Sequence, residues 1–137
     1  MKIIYQVEEH LNTEEFIQVL IDSTLSERRP VNDRLRIDAM VKNSNLIITA
    51  RVDGKLIGVA RSVSDFNFAT YLSDLAVNKE FQKLGIGKEL IRLTKLAAPL
   101  AKLILLAAPA AIEYYPKIGM KQHMSCFFLD EVNDLLN

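Results

Sequence analysis

The sequence predicts a mixed α/β (α+β) fold: a central, mostly antiparallel sheet flanked by helices, in the order β-α-α-β-β-β-α-β-α-β. Three observations carry this. First, the runs 45–52 and 55–63 are rich in apolar and β-branched residues and are joined by Asp53-Gly54. That pair suits a type I′ hairpin turn, whose central residues both need a positive φ. Second, a further strand-like run over 70–77 extends the hairpin to an antiparallel meander. Third, a glycine-containing segment leads from that run into a helix-like one, and the apolar stretch from Leu103 to Ala107 then returns as a strand. A helical crossover of this kind makes the returning strand parallel to its predecessor.

The remaining elements follow in chain order. Lys2 to Val7 alternates weakly and predicts a first strand. Asn12 with Glu15 three residues on is a helix-start signature, and Phe16, Val19 and Leu20 supply the apolar stripe of a first helix. A polar break through Ser26 and Pro30 precedes a second helix, capped by Asn32 and turning Leu35, Ala39 and Met40 inward. Gly58, inside the second hairpin strand, marks a bulge or a close packing contact. Residues 65–69 form a loop carrying Phe66 and Phe68. The helix after the glycine segment presents Ile86, Leu90, Leu93 and Ala97 on one face, and Pro99 follows its end. A short helix holds Tyr114 and Tyr115, and 124–129 reads as a last strand.

At 137 residues the chain fits one domain, 1–137. Half of the residues are apolar, which places it among globular chains. The longest apolar run, Leu103 to Ala111, is far short of a membrane span, and Glu8 and Glu9 interrupt any signal-peptide pattern early. A single cysteine, Cys126, excludes an internal disulfide; its apolar neighbours predict a buried structural thiol and the chain a cytoplasmic setting. The 17 basic residues balance 17 acidic ones, which argues against nucleic acid as a partner. The distribution is uneven. Between Lys79 and Lys102 six basic residues face two acidic ones, whereas His123 to the end holds three acidic residues and no Lys or Arg. A basic cluster of this kind suits a polyphosphate ligand, although most such charges are ordinary solvated helix residues. Lys83 and Lys88, inside the glycine segment, are the best exceptions. His10 and His123 are too far apart in the pattern to suggest a metal site.

The glycine segment, Gln82-Lys83-Leu84-Gly85-Ile86-Gly87-Lys88, carries the most chemistry. A turn between strand and helix leaves backbone N–H groups free at the positive end of the helix dipole, a seat for a phosphate. A Walker A loop is excluded, because the glycines are too close and no Ser or Thr follows Lys88. A dinucleotide-binding loop needs a third glycine where Leu90 stands. A nucleotide-phosphate binder using the same backbone, or a glycine-rich helix start with no ligand, remains open on these residues alone.

The remaining pattern, Q-x-x-G-x-G after a strand ending in Val77, resembles motif A of the GNAT superfamily of N-acetyltransferases. About 30 residues on, Ala111-Ile112-Glu113-Tyr114-Tyr115-Pro116-Lys117-Ile118-Gly119-Met120 resembles the family's motif B. Ala111, Tyr115, Lys117 and Gly119 match it by identity, and Tyr114 and Met120 by type. Ala108 stands where the family often has Asn, and Pro109 and Pro116 are further departures that predict a short or bent helix around Tyr115. The resemblance implies a GNAT-like fold, in which the third meander strand and the strand after the crossover splay apart to admit the pantetheine arm of acetyl-CoA.

It also implies a reaction: acetyl transfer from acetyl-CoA, a cosubstrate, directly to a primary amine of a small molecule or protein. The backbone of Lys83, Leu84, Gly85, Ile86, Gly87 and Lys88 would bind the pyrophosphate, with a side-chain hydrogen bond from Gln82. Leu75 and Val77 would pair with the pantetheine amides as if these were an added strand, and an N–H near Leu75 or Ala76 would meet the oxyanion. Tyr115 is the candidate general acid to the thiolate. Asp74 is the candidate base, or it orients a substrate ammonium, or it bonds a neighbouring strand; Asp65 is a further option for the base. Arg28 and Arg29 lie where the family lines its acceptor site and could meet an anionic substrate, although exposed loop arginines are the plainer reading. The resemblance leaves a second class open, a non-catalytic acyl-CoA-binding sensor. A homodimer through the C-terminal strand follows only from exposed-edge logic.

Overall fold

The computed structural model describes residues 1–137. They divide into two compact units, Met1–Leu106 and Ala107–Asn137. The first contains β1 (Ile4–Val7), α1 (Thr13–Asp22), α2 (Arg34–Lys42), β2 (Leu46–Val52), β3 (Lys55–Ser64), β4 (Ala69–Val77), α3 (Ile86–Ala97) and β5 (Lys102–Ile104). Its sheet has the order β1-β2-β3-β4-β5, antiparallel throughout except for β4 with β5. The meander, the crossover and the parallel return are as the sequence predicts. Asp53 and Gly54 both take positive φ at the hairpin turn.

Period-two alternation divides the core. Ile47 and Val59 of the central strands pack with Ala76 against Phe16, Val19 and Leu20 of α1 and Ile37 and Val41 of α2. Ile48, Ala60 and Leu72 face Ile86 and Leu90 of α3 on the other side. Gly58 allows that closeness: a Cβ there would meet Leu90 Cδ1 at 3.2 Å and Ile86 Cγ2 at 3.3 Å. The β2–β3 register also shifts beside it, so both readings of this glycine hold.

Some expectations fail at the level of which face turns inward. Asn12 caps α1, accepting the Glu15 N–H at 3.0 Å, but Asp33 rather than Asn32 caps α2. Ile37 and Val41 are the buried residues of α2, and Leu35 is 81% exposed. At about 100° per residue Ile37 and Val41, four residues apart, share one face, and Leu35 lies about 200° from Ile37 on the opposite one. On α3, Thr94 is buried where Ala97 was expected; its hydroxyl donates to the Leu90 carbonyl, which removes the cost of burying it.

The second unit contains one short α-helix, α4 (Tyr114–Lys117), with 3₁₀ turns at Pro109–Ala111 and Val132–Asp134. The last strand expected over 124–129 does not form. Alternation can suit a strand, but a ladder partner makes one, and no residue of this stretch is paired in the sheet. Cys126 is accordingly exposed, not the buried thiol expected from its neighbours. No helix is long and apolar enough to cross a membrane.

Candidate acyl-donor and acceptor site

The β4–β5 ladder is short. It joins Ala69 to Lys102, Thr70 to Leu103 and Tyr71 to Ile104, and stops. Beyond Tyr71, β4 runs on to Val77 paired with β3 alone. The Asn78 N–H donates to Ile57 of β3 at 2.8 Å. Backbone polar groups alternate in direction along a strand, so those of Val77 and Leu75 face away from β3, toward the open side. The expected parting of the two strands is therefore present, and it exposes hydrogen-bonding backbone at Leu75 and Val77. Ala76 is buried, its side chain turned to the α1 face.

The glycine segment follows directly. Asn78 accepts the Glu80 N–H at 2.9 Å, which starts a tight 3₁₀ turn over Lys79–Phe81. Gln82 turns its side chain back and donates to the Val77 carbonyl at 2.9 Å, tying the loop to the end of β4. Lys83 (φ 65°) and Gly85 (φ 81°) both lie in the left-handed region. Gly85 is the N-cap of α3 and offers no side-chain cap. The Leu84 N–H closes a turn at Gln82–Lys83, whereas the N–H groups of Lys83, Gly85, Ile86, Gly87 and Lys88 meet no acceptor in the chain; the first helical bond runs from Glu89 to the Gly85 carbonyl. Unpaired donors at a helix N-terminus form an anion seat. Lys83 and Lys88 are exposed and carry no ion pair, while Arg92 of the same helix is met by Glu89 at 2.6 Å. Ile86 differs from its neighbours in the segment: its side chain is core.

Asp74 is fully buried, on the α1–α2 face of β4. One carboxylate oxygen accepts from Arg29 Nε and the other from Arg61 Nε. Arg61 reaches it from β3 and also donates to Ser44 Oγ at 2.9 Å and Ser73 Oγ at 3.0 Å. Arg29 comes from the turn between α1 and α2 and donates to the Ser73 carbonyl at 2.8 Å. Neither Arg61 nor Asn78 is among the residues expected from the sequence. The available signal for Arg61 was a charge inside an otherwise apolar strand, which requires a buried partner. Asp65 accepts the N–H groups of Phe68, Ala69 and Asn67, and these backbone donors hold its carboxyl below the usual range. That is loop architecture rather than a poised base.

In the second unit, Tyr115 is half-buried and packs edge-on to Tyr114, with ring centroids 5.3 Å apart. Burial, with a smaller contribution from Tyr114, raises its phenol above the ordinary tyrosine value. α4 is four residues long with Pro116 inside it, in keeping with the expected short helix. Gly119, at φ 100°, closes it in the left-handed conformation.

The parted mixed sheet, with a helix N-terminus set directly after its open strand, defines the fold class. The chain belongs to the acetyltransferase (GNAT) family, whose model matches residues 5–120. Among its relatives, the N-acetyltransferase ycf52 of Pyropia yezoensis is 31% identical over 110 residues, covering 75% of this chain and 62% of the relative. The chain thus spans about three-fifths of the length of the ycf52 proteins it matches. A GNAT family protein from Streptococcus pneumoniae TIGR4 superposes with a TM-score of 0.72 at 18% identity, covering 96% of this chain and 98% of that one. The aminoglycoside N-acetyltransferase AAC(6')-Iy, solved with CoA, gives a TM-score of 0.73 at 14% identity over 96% and 95% of the two chains. At these identities the structures establish the shared fold.

Proposed function

We propose that this chain is a single acetyltransferase domain that moves an acetyl group from acetyl-CoA to a primary amine of a small molecule or protein, by direct transfer with both substrates bound. The observation that carries the reading is the set of uncommitted N–H groups from Gly85 to Lys88, next to the Leu75 backbone, which lies beyond the last β4–β5 pair and faces away from β3. Free donors of this kind occur at every helix start and are met by water or by an anion; here they lie beside an open strand edge and two unpaired lysines, which favours the anion. Pyrophosphate oxygens suit the loop, the charges of Lys83 and Lys88 suit the further phosphate of CoA, and amide groups of a pantetheine arm suit the strand edge. Gln82 fixes the loop in this reading, through Val77, and is not itself spent on phosphate.

Acetyl-CoA supplies an activated carbonyl. A neutral amine attacks that carbon, the C–N bond forms, and the C–S bond breaks. The developing oxyanion needs a donor, assigned to the N–H at Leu75, because the Ala76 N–H is turned to β3. The departing sulfur takes a proton, assigned to Tyr115 by its place in the motif and its chemistry: a phenol held above its ordinary value stays protonated at neutral pH. Asp74 enters as a positioning residue rather than a base, because both of its oxygens are already held by arginines. The attacking amine then loses its proton to water. A cytoplasmic setting belongs to the same proposal. A homodimer through 124–129 loses the strand edge on which it rested, because no strand forms there.

Tyr115→Phe tests the assignment. Turnover should fall by about a hundredfold or more with CoA affinity unchanged, and the alkaline limb of the parent's kcat profile, above about pH 10, should disappear. Parent-like turnover in this variant would remove Tyr115 from the mechanism. A preference for ATP over CoA in a binding competition would remove the acetyl-transfer reading.

A further inference from the structure

The cluster around Asp74 is unbalanced. One carboxylate serves two guanidinium groups, so the cluster of buried Asp74 and Arg61 with the partly exposed Arg29 carries a net positive charge. The acids of β1, α1 and α2 that form ion pairs form them elsewhere: Glu14 with Arg34, Asp38 with Lys42, and Glu8 and Glu15 with Arg51. Glu27, exposed in the same turn as Arg29, forms no ion pair with it, and Arg28 beside it is exposed and likewise unpaired. A buried cation excess is costly unless an anion meets it.

The two arginines of the triad are not equivalent. Arg61 has only 8% of its side chain exposed, and its N–H groups are distributed over Asp74, Ser44, Ser73 and the Met40 carbonyl. It is structural. Arg29 keeps 22% of its side chain exposed. It donates from Nε to Asp74, from Nη1 to the Arg28 carbonyl at 2.8 Å, and from Nη2 to the Ser73 carbonyl at 2.8 Å. A guanidinium has five N–H donors; on Arg29 one N–H on each Nη remains without a partner in the chain. Three bonds fix the group while its outer donors stay available, which is how a rigid fork is prepared for a planar anion.

Its position decides what that anion belongs to. Ser73 lies at the irregularity in the β3–β4 register, just past the last β4–β5 pair and two residues before Leu75. Two strand residues span roughly 7 Å, so an anion on Arg29 is a short molecule's length from the backbone assigned to the reacting acyl group. We propose that Arg29, held by Asp74 against the Ser73 carbonyl, binds a carboxylate carried by the acceptor, and that the acceptor is a small amino carboxylate rather than a polycationic amine. The inference rests on the acetyl-transfer reading and names the substrate class for it.

The test uses the full chain with acetyl-CoA, following release of the free thiol, and compares amino acids with their carboxamides and with diamines of similar length. The parent should prefer each amino acid over its amide by about tenfold or more in kcat/KM. Arg29→Gln should bring that ratio near one, chiefly through KM, with acetyl-CoA affinity at the parent value by calorimetry, which also reports that the variant is folded. Arg29→Lys, with the charge but not the fork, should retain part of the preference. Equal use of acid and amide by the parent, or a preference that survives Arg29→Gln, overturns the inference. Saturation-transfer NMR of the CoA-bound protein reads acceptor binding without turnover: no amino carboxylate bound while CoA is bound overturns this inference alone, and failure to bind CoA overturns the reading beneath it as well.

Discussion

Two polar regions flank the end of β4 and differ in where their hydrogen bonds go. At Asp74, a buried carboxylate has both oxygens met by arginines from β3 and from the α1–α2 turn, and the arginines are themselves tied to Ser44, Ser73 and main-chain carbonyls. At the head of α3, successive N–H groups from Gly85 to Lys88 go unmet, and two lysines stand by without partners. The first region holds the fold, with the Asp74 carboxylate saturated and only the outer N–H groups of Arg29 left over; the second is unsaturated and accessible to a ligand. A residue's charge alone does not separate these roles. The separation lies in whether its partners come from within the chain.

The largest expected effect breaks the saturated side. Asp74→Ala leaves two guanidinium groups without their counter-ion, Arg61 deeply buried, and should cost about 3–5 kcal/mol of stability by urea denaturation. A loss below about 1 kcal/mol would mean that the arginines are hydrated and that the triad does not hold the fold. The same operation on the unsaturated side should do the reverse. Lys83→Ala and Lys88→Ala should each change stability by no more than about 0.5 kcal/mol while weakening CoA several-fold in direct titration, more at low than at high salt. Unchanged affinity in both would return these lysines to the solvated surface.

The smallest effect concerns Asp65, whose saturation is local. Three backbone N–H groups hold its carboxyl low, with Phe68 foremost. A carboxyl lowered in the folded state stabilises above its unfolded value, about 4, and that contribution disappears as pH falls through the folded value. The thermal midpoint of the parent should therefore exceed that of Asp65→Asn at neutral pH, and the gap should narrow in acid. A gap that widens on acidification would reverse the assigned sign.

Much of the unsaturated side was legible in the sequence, because its signals are local. Gly85 and Gly87 lie between a strand and a helix, and Asp53-Gly54 sets the hairpin within four residues. The saturated side was not, because Arg29, Arg61 and Asp74 meet across long separations that no spacing rule encodes. Asp74 was legible as a carboxylate on the right strand, but its partners decide its role. The α2 face failed for a different reason: this short helix holds apolar residues at 35, 37, 39, 40 and 41, and only packing against α1 and the sheet selects Ile37 and Val41 among them. The stretch 124–129 failed because alternation cannot report the lack of a partner strand.

Calorimetric titration with acetyl-CoA, comparing the parent with Gly85→Glu, tests the central claim most directly. The substitution puts a carboxylate at the proposed anion seat and a side chain where φ is 81°. The parent should bind in the micromolar range, about −8 kcal/mol, and the folded variant at least a hundredfold more weakly. Equal binding by the two proteins would place the cofactor elsewhere, and no binding by the parent would contradict the account.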